Sequence, residues 1–402
     1  MNNIRNITDD WIYVGASTRS LSLFENIYPV PQGMSYNSYV LKDTRTVLLD
    51  TADATVSQDF FENLSEALQG RMLDYLVINH MEPDHGALIQ DLLLRYPQVC
   101  IVTNAKASKM IQQFFDITPK MQLVNEGDTL NTGNHTLTFV MAPMVHWPEA
   151  MFTYDISEKI LFSADAFGSF GAINGNIYAD ETGFDQACVS EYRRYYANIV
   201  GKYGVQVQSV LKKAAGLDIN MICPLHGPVW RKNSALLLDK YQKWSTYEPE
   251  EQAVVMIYGS IYGHTKSAME KMASLLARKG VKNIALYDAS HVSTDYLLSE
   301  AFRCSHLVLA SVTYNAGIFP PMEHLLLDMK AHNLQNRNVV LVENGTWAAQ
   351  SGMQMKNILL QMKNMNLLGD IFSLKSAMKE EQTADMEILA SLLVADMKYD
   401  VE

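Results

Sequence analysis

His80-Met81-Glu82-Pro83-Asp84-His85 puts four metal-ligating side chains into one short segment, directly after the strand-like run Tyr75-Leu76-Val77-Ile78-Asn79. Imidazole nitrogens and carboxylate oxygens together suit a divalent first-row metal, and Pro83 stiffens the middle of the segment. Three further candidates follow, each in a loop after a strand-like run. They are His146 in Ala142-Pro143-Met144-Val145-His146-Trp147-Pro148, Asp165 in Phe162-Ser163-Ala164-Asp165-Ala166-Phe167-Gly168, and His226 in Cys223-Pro224-Leu225-His226-Gly227-Pro228. Any one of these has an ordinary reading; Asp84 alone would serve to cap the helix that follows. Seven together suit two metal ions bridged by one carboxylate, which the first segment alone does not.

A second chemistry is written further along. Ser260-Ile261-Tyr262-Gly263-His264-Thr265 runs from a strand pattern straight into a helix pattern. A mononucleotide phosphate needs backbone N–H donors at a helix N-terminus together with hydroxyls. Ser260, Tyr262 and Thr265 offer hydroxyls, His264 adds its backbone N–H, and Gly263 permits close backbone approach. The segment resembles the phosphate loop of flavodoxins and lacks both the lysine of a P-loop and a G-x-G-x-x-G fingerprint, so FMN is expected rather than ATP or NAD. Two later loops follow strands of the same domain, where doubly wound sheets bind ligands. One runs through Thr313-Tyr314-Asn315-Ala316-Gly317-Ile318, the other through Glu343-Asn344-Gly345-Thr346-Trp347-Ala348. Tyr314 and Trp347 are expected to flank the flavin ring, with backbone amides near Asn315 and Gly345 meeting its polar edge.

The elements that must position these residues divide at the polar stretch Ser245-Thr246-Tyr247-Glu248-Pro249-Glu250-Glu251-Gln252, which reads as a linker between domains at 1–248 and 249–402. Before it, strand patterns at 11–15, 38–41, 47–50, 136–141 and 159–163 mix with helical patterns at 58–68, 87–95 and 189–217, which suggests a two-sheet sandwich with helices outside. After it, strands at 253–258, 283–287, 306–310 and 339–342 alternate with helices such as 265–279 and 294–303. That alternation implies βαβ units in a doubly wound parallel sheet.

Composition narrows the class. The chain has 402 residues, 48% hydrophobic and 19% charged, which fits a water-soluble protein of two or three domains. No apolar run approaches the roughly 20 residues needed to cross a bilayer, and the N-terminus lacks a signal-peptide pattern, so the cytoplasm is expected. A net charge of −12 argues against nucleic acid as the main partner. Cys100, Cys188, Cys223 and Cys304 form no C-x-x-C pair and read as structural thiols. Most of the remaining histidines (His135, His291, His306, His324, His332) read as surface residues.

H-x-E-x-D-H resembles the H-x-H-x-D-H segment that holds two zinc ions in metallo-β-lactamase-type hydrolases, with Glu82 in the place of the middle histidine. The loop order, including the Leu49-Asp50-Thr51 turn, matches that fold and implies an αββα sandwich. Carried over, His80, Glu82 and His146 bind one metal, Asp84, His85 and His226 the other, and Asp165 bridges them. Zinc sites of this fold use more imidazole; extra carboxylate oxygen favours iron or manganese. A lactamase-like domain of this kind joined to a flavodoxin-like one is similar to the flavodiiron proteins, or A-type flavoproteins. The likeness extends to Arg194-Tyr195-Tyr196-Ala197-Asn198-Ile199 and to Thr313-Tyr314-Asn315 with Gly317-Ile318, whereas Glu343-Asn344-Gly345-Thr346-Trp347 departs from the G-S-x-G-W of many relatives.

That resemblance implies FMN, two iron ions, and reduction of dioxygen to water, of nitric oxide to nitrous oxide, or both. It also implies a head-to-tail homodimer, or a dimer of dimers, that brings FMN of one subunit against the di-iron site of the other. No rubredoxin-like C-x-x-C follows the flavodoxin part, so a separate donor is expected, a rubredoxin or a reduced deazaflavin. Phe24, Glu25, Tyr28 and Trp147 are candidate pocket residues near the metals. The rival reading is a dinuclear zinc hydrolase of the glyoxalase II kind, which leaves the flavin domain without a purpose and fits Glu82 poorly.

Overall fold

The computed structural model describes residues 3–182 and 186–397; the side chains of 186–188, Cys188 among them, lie outside the description. Two compact units emerge. The first takes in the residues up to Tyr196 together with Val205–Gln242, and the second Ala197–Gly204 with the residues from Lys243 on.

In the first unit, a seven-stranded sheet runs in the order Arg5–Asn6, Trp11–Tyr13, Tyr39–Lys42, Thr46–Leu49, Tyr75–Val77, Cys100–Thr103, Met121–Leu123. A five-stranded sheet holds Thr129–Asn131, Thr136–Met141, Met151–Asp155, Ile160–Phe162 and Met221–Cys223. Their inner faces meet in one apolar core that includes Trp11, Tyr39, Leu49, Val77, Val102, Phe139, Met151 and Phe162. Thr46–Leu49, Tyr75–Val77 and Cys100–Thr103 are parallel, so their C-terminal ends and following loops line up along one edge. Ile160–Phe162 and Met221–Cys223 are parallel as well, which sets the loops carrying Asp165 and His226 side by side.

The second unit has a parallel sheet in the order Ile284–Asp288, Glu251–Gly259, Cys304–Tyr314, Arg337–Asn344, Met365–Leu367. The order turns back at Glu251–Gly259 and Cys304–Tyr314, the switch point at which doubly wound sheets open a crevice. One face is packed by Ala268, Met272 and Leu276 of the helix His264–Arg278 and by Leu389 and Leu393 of the helix Thr383–Asp396. Glu251 already belongs to the first strand here, so the polar stretch is shorter than a linker over 245–252.

The continuous helical pattern over 189–217 is broken in the structure. The helix Gln186–Tyr195 passes into a π turn over Tyr196–Val200 and a 3-10 turn over Gly201–Tyr203 before Gly204–Ala214 resumes. A Cβ on Gly204 would lie 2.4 Å from Ser245 O, so only glycine allows this approach. The Tyr247 hydroxyl accepts from Gly204 N and donates to Gly201 O at 2.9 Å, competing with regular helical bonding.

Cys100, Cys223 and Cys304 are buried. Two histidines expected at the surface are buried instead, His135 at 3% and His306 at 1% exposure, because each ring is held by a carboxylate: Asp155 with Asp10, and Asp396. Among the described residues, no helix is long and apolar enough to cross a membrane.

Candidate functional site

Asp50, at the end of the strand Thr46–Leu49, fixes the start of the His80 segment. Its carboxylate accepts from Asn79 N at 2.7 Å, Asn79 Nδ2 at 2.8 Å and His80 N at 3.2 Å. The Thr51 hydroxyl donates to His85 O, closing the other end. Between them Pro83–Gly86 forms one helical turn with proline in its first turn, where no backbone donor is lost.

The seven sequence-selected residues converge as two groups around one carboxylate. In the first group, His80 Nε2 and His146 Nε2 lie 3.2 and 3.0 Å from Glu82 Oε2, and 3.4 and 3.1 Å from Asp165 Oδ2. In the second, His85 Nε2 and His226 Nε2 lie 3.3 and 3.2 Å from Asp84 Oδ2, and 3.3 and 3.6 Å from Asp165 Oδ1. Each oxygen of Asp165 therefore serves one group. Donors about 2.0–2.1 Å from a tetrahedral metal stand roughly 3.3 Å from each other, which is the spacing seen in both groups.

Partner atoms outside the two groups orient the rings. Glu149 Oε1 holds His80 Nδ1 and accepts from Met81 N, both at 2.9 Å. Ser35 O accepts from His226 Nδ1 at 2.7 Å, leaving Nε2 of the neutral ring with its lone pair free. Gly227, at φ +74°, is required next to it, because a Cβ there would sit 2.2 Å from Ser169 Oγ. Sequence reasoning missed Glu149 and Ser35; the proximity of Glu149 to His146 in the chain was the one available sign.

The electrostatics are those of a site that needs positive charge. Among the described residues, both oxygens of Asp84 and Oδ1 of Asp165 are buried with no well-aligned hydrogen-bond donor, for all that imidazole nitrogens stand close by. Nε2 of His85 and Nε2 of His226 face each other at 2.9 Å. Burial opposes charge on His146, yet its bonds to Asp165 and Glu82 outweigh that and raise its pKa to about 9. For Asp165, burial is likewise overcome by His80 and His146, and its pKa is held well below the usual carboxylate range. Lone pairs and orphaned oxygens aimed at two common points fit a pair of divalent cations.

Of the candidate pocket residues, Phe24 packs edge-on to His226 with centroids 5.5 Å apart, and Trp147 to His80 at 5.5 Å. Tyr28 lies one layer further out, on Phe170. Glu25 is exposed at its surface, yet the protein atoms packed around its carboxyl and the Glu82 charge beside it push its pKa up to about 8. Tyr36 and Tyr195 also face His226, at 5.8 and 5.6 Å.

In the second unit, a cavity of about 730 Å³ opens at the switch point. Ser260, Ile261, Tyr262, His264, Thr265, Thr313, Tyr314, Asn315, Asn344, Gly345, Thr346 and Trp347 all line it. Gly263 and Gly317 do not. Gly263 instead starts the helix at φ +89°, and Gly317 pairs with Tyr314 in a hairpin. Ser260 Oγ accepts from Gly263 N at 3.1 Å, shaping the turn that leads into the helix N-terminus. Trp347 is 94% exposed and Tyr262 89%, large rings standing free at the rim. The Gly345 amide itself donates to Leu374 O at 3.1 Å. Sequence reading also missed Ser376, which lines the cavity and is gripped by both ends of the Asn344 amide. The volume, the helix N-terminus and the aromatic rim fit a flavin mononucleotide.

Residues 34–227 match the model of the ODP family beta lactamase. An uncharacterized protein of Methanocaldococcus jannaschii is 30% identical over 355 residues, covering 88% of this chain and 89% of its own. The anaerobic nitric oxide reductase flavorubredoxin of Escherichia coli is 29% identical over 327 residues, 80% of this chain and 67% of that protein. Among solved structures, the rubredoxin oxygen:oxidoreductase of Desulfovibrio gigas superimposes with a TM-score of 0.92 at 25% identity, covering 98% of both chains. A lactamase-like sandwich with a carboxylate-rich double ligand cluster, followed by a flavodoxin-like sheet with an open cavity and matched by these relatives over 80% to 98% of its length, places the chain in the flavodiiron protein family.

Proposed function

We propose that this protein is an oxidoreductase that passes electrons from a donor protein through FMN to a di-iron centre, reducing dioxygen to water, nitric oxide to nitrous oxide, or both. The observation that carries the reading is Asp165, one oxygen of which faces His80, Glu82 and His146 while the other faces Asp84, His85 and His226. These seven residues would hold the two irons, with Asp165 as the bridge. The cavity from Ser260 to Thr265, with the loops at Thr313–Asn315 and Asn344–Trp347, would hold FMN.

Bound iron and FMN supply the electron-transfer chemistry, and the protein's part is to hold and orient. Glu149 and Ser35 O fix which nitrogen of His80 and His226 faces inward, Nε2 in each case. Phe24, Trp147 and Tyr195 wall the cluster with aromatic surface, which keeps bulk water from the charged donors. Glu82 and Asp84 would give bound iron extra carboxylate charge, which favours its oxidised form.

A rubredoxin-like protein or a reduced deazaflavin fits as donor, a homodimer or dimer of dimers as the working assembly, and the cytoplasm as its place. The flavorubredoxin and the rubredoxin oxygen:oxidoreductase divide between nitric oxide and oxygen, so the test is stopped-flow reoxidation of the fully reduced protein with each gas separately, alongside metal analysis. Two irons and one FMN per chain, with turnover on at least one gas, are expected. Two zinc ions with thioester hydrolysis and no gas consumption would replace this reading by a hydrolase.

A further inference from the structure

Away from the seven residues above, the first unit contains another convergence of imidazole and carboxylates. His135 sits in the turn between the strands Thr129–Asn131 and Thr136–Met141, nearly fully buried. Its Nδ1 lies 2.7 Å from Asp155 Oδ2, an oxygen that also accepts from Trp11 Nε1 at 2.8 Å. The carboxylate has no proton to give, so Nδ1 carries the hydrogen and Nε2 points outward as the ligand nitrogen. Nε2 lies 3.1 Å from Asp10 Oδ2, and a carboxylate oxygen of Glu158 completes a group whose donor atoms all fall within 4.8 Å. Glu158 Oε2 is buried and, among the described residues, has no hydrogen-bond partner.

Two positive occupants are conceivable at the meeting point of these atoms. A proton on His135 Nε2 satisfies Asp10 but leaves the buried Glu158 oxygen without a partner, which is costly. A divalent ion serves all three at once. The 3.1 Å between Nε2 and Asp10 also suits two ligands of one tetrahedral metal. An imidazole held from behind by a carboxylate is the usual support of a metal-bound histidine.

We propose that Asp10, His135 and Glu158 form a further divalent-metal site, for zinc, with Asp155 orienting the imidazole. The site lies at the opposite end of the strands from His80: Trp11 pairs with Leu41, whereas Tyr13 pairs with Tyr39, which faces Leu49 beside Asp50. It joins the start of a strand in one sheet to two turns of the other, so its role is to tie the two sheets together.

The test adds zinc alone to protein whose two-metal centre is already loaded with iron, with iron retention measured in the same samples. The expected result is about one further zinc per chain, a melting temperature that rises with zinc, and at least ten-fold weaker zinc binding in both Glu158→Gln and Asp10→Asn. Asp10 is 45% exposed, so its substitution leaves the core intact. No saturable uptake, uptake matched by loss of iron, or equal affinity in wild type and both variants would overturn the site.

Discussion

Glu82 Oε2 stands between His146 and His80, at 3.0 and 3.2 Å, in the position where lactamase-type hydrolases carry an imidazole. Oxygen is the harder donor, and its charge favours iron over zinc. Glu82→His should therefore lower iron content several-fold and raise zinc, read by elemental analysis; unchanged iron loading and turnover would sink that account. The same cluster makes the metal-free protein sensitive to pH. His146 has a folded pKa of about 9 against 6.5 for a free side chain, so its protonation stabilises the fold fully below 6.5 and that contribution fades as pH rises through about 9. Chelator-stripped protein should lose resistance to urea between those limits, and metal-loaded protein should not. All seven candidate ligands were legible in the sequence because a ligand's chemistry is carried by its own side chain and by the loop it sits in. Glu149 was not, being one carboxylate among 44 acidic residues until the fold sets it 2.9 Å from His80 Nδ1.

Among the elements, the alternation after residue 250 predicted the parallel sheet well, since the central strands Glu251–Gly259, Cys304–Tyr314 and Arg337–Asn344 are largely buried apolar runs and the helices His264–Arg278 and Thr294–Arg303 have a clear period. The loops were harder. Ser376 reaches the cavity only because Asn344 bonds both its N–H and its C=O, a pairing across 32 residues that no local pattern announces. The break at Tyr196–Val200 was equally hidden, because a single π turn inside a helix carries no residue type that marks it, such as a proline or a glycine. Gly263, by contrast, does in the structure what its type suggests. It holds φ +89° with open space where a Cβ would project. Gly263→Ala should cost about 1–2 kcal/mol in chemical denaturation, the penalty of a left-handed conformation for an L-residue. Gly263→Asn should recover much of it, since asparagine tolerates that region; an equal loss in both would point to something other than backbone strain.

At the scale of the whole chain, the two candidate cofactor sites draw on separate stretches of sequence, residues 80–226 for the metals and 260–376 for the flavin. Stripping the metals should accordingly leave FMN binding at one per chain, measured by quenching of flavin fluorescence, and loss of FMN on chelation would contradict it. The sequence also suggested a single cut near 248, which the contacts do not follow. Residues 197–204 belong with the second unit: Asn198 donates to Asp295 O at 3.1 Å and accepts from His332 Nε2 at 3.0 Å. Arg337, buried, donates to Tyr247 O at 2.7 Å.

The flavodoxin-like unit is thus assembled from two separate passages of the polypeptide, which bears on how the gene can be dissected. A fragment starting at residue 249 would remove Asn198 from Asp295 O and His332 Nε2, and Tyr247 O from Arg337. Such a fragment is expected to aggregate on expression, whereas one rebuilt to include 197–204 and 243–248 through a short artificial joint should stay in solution.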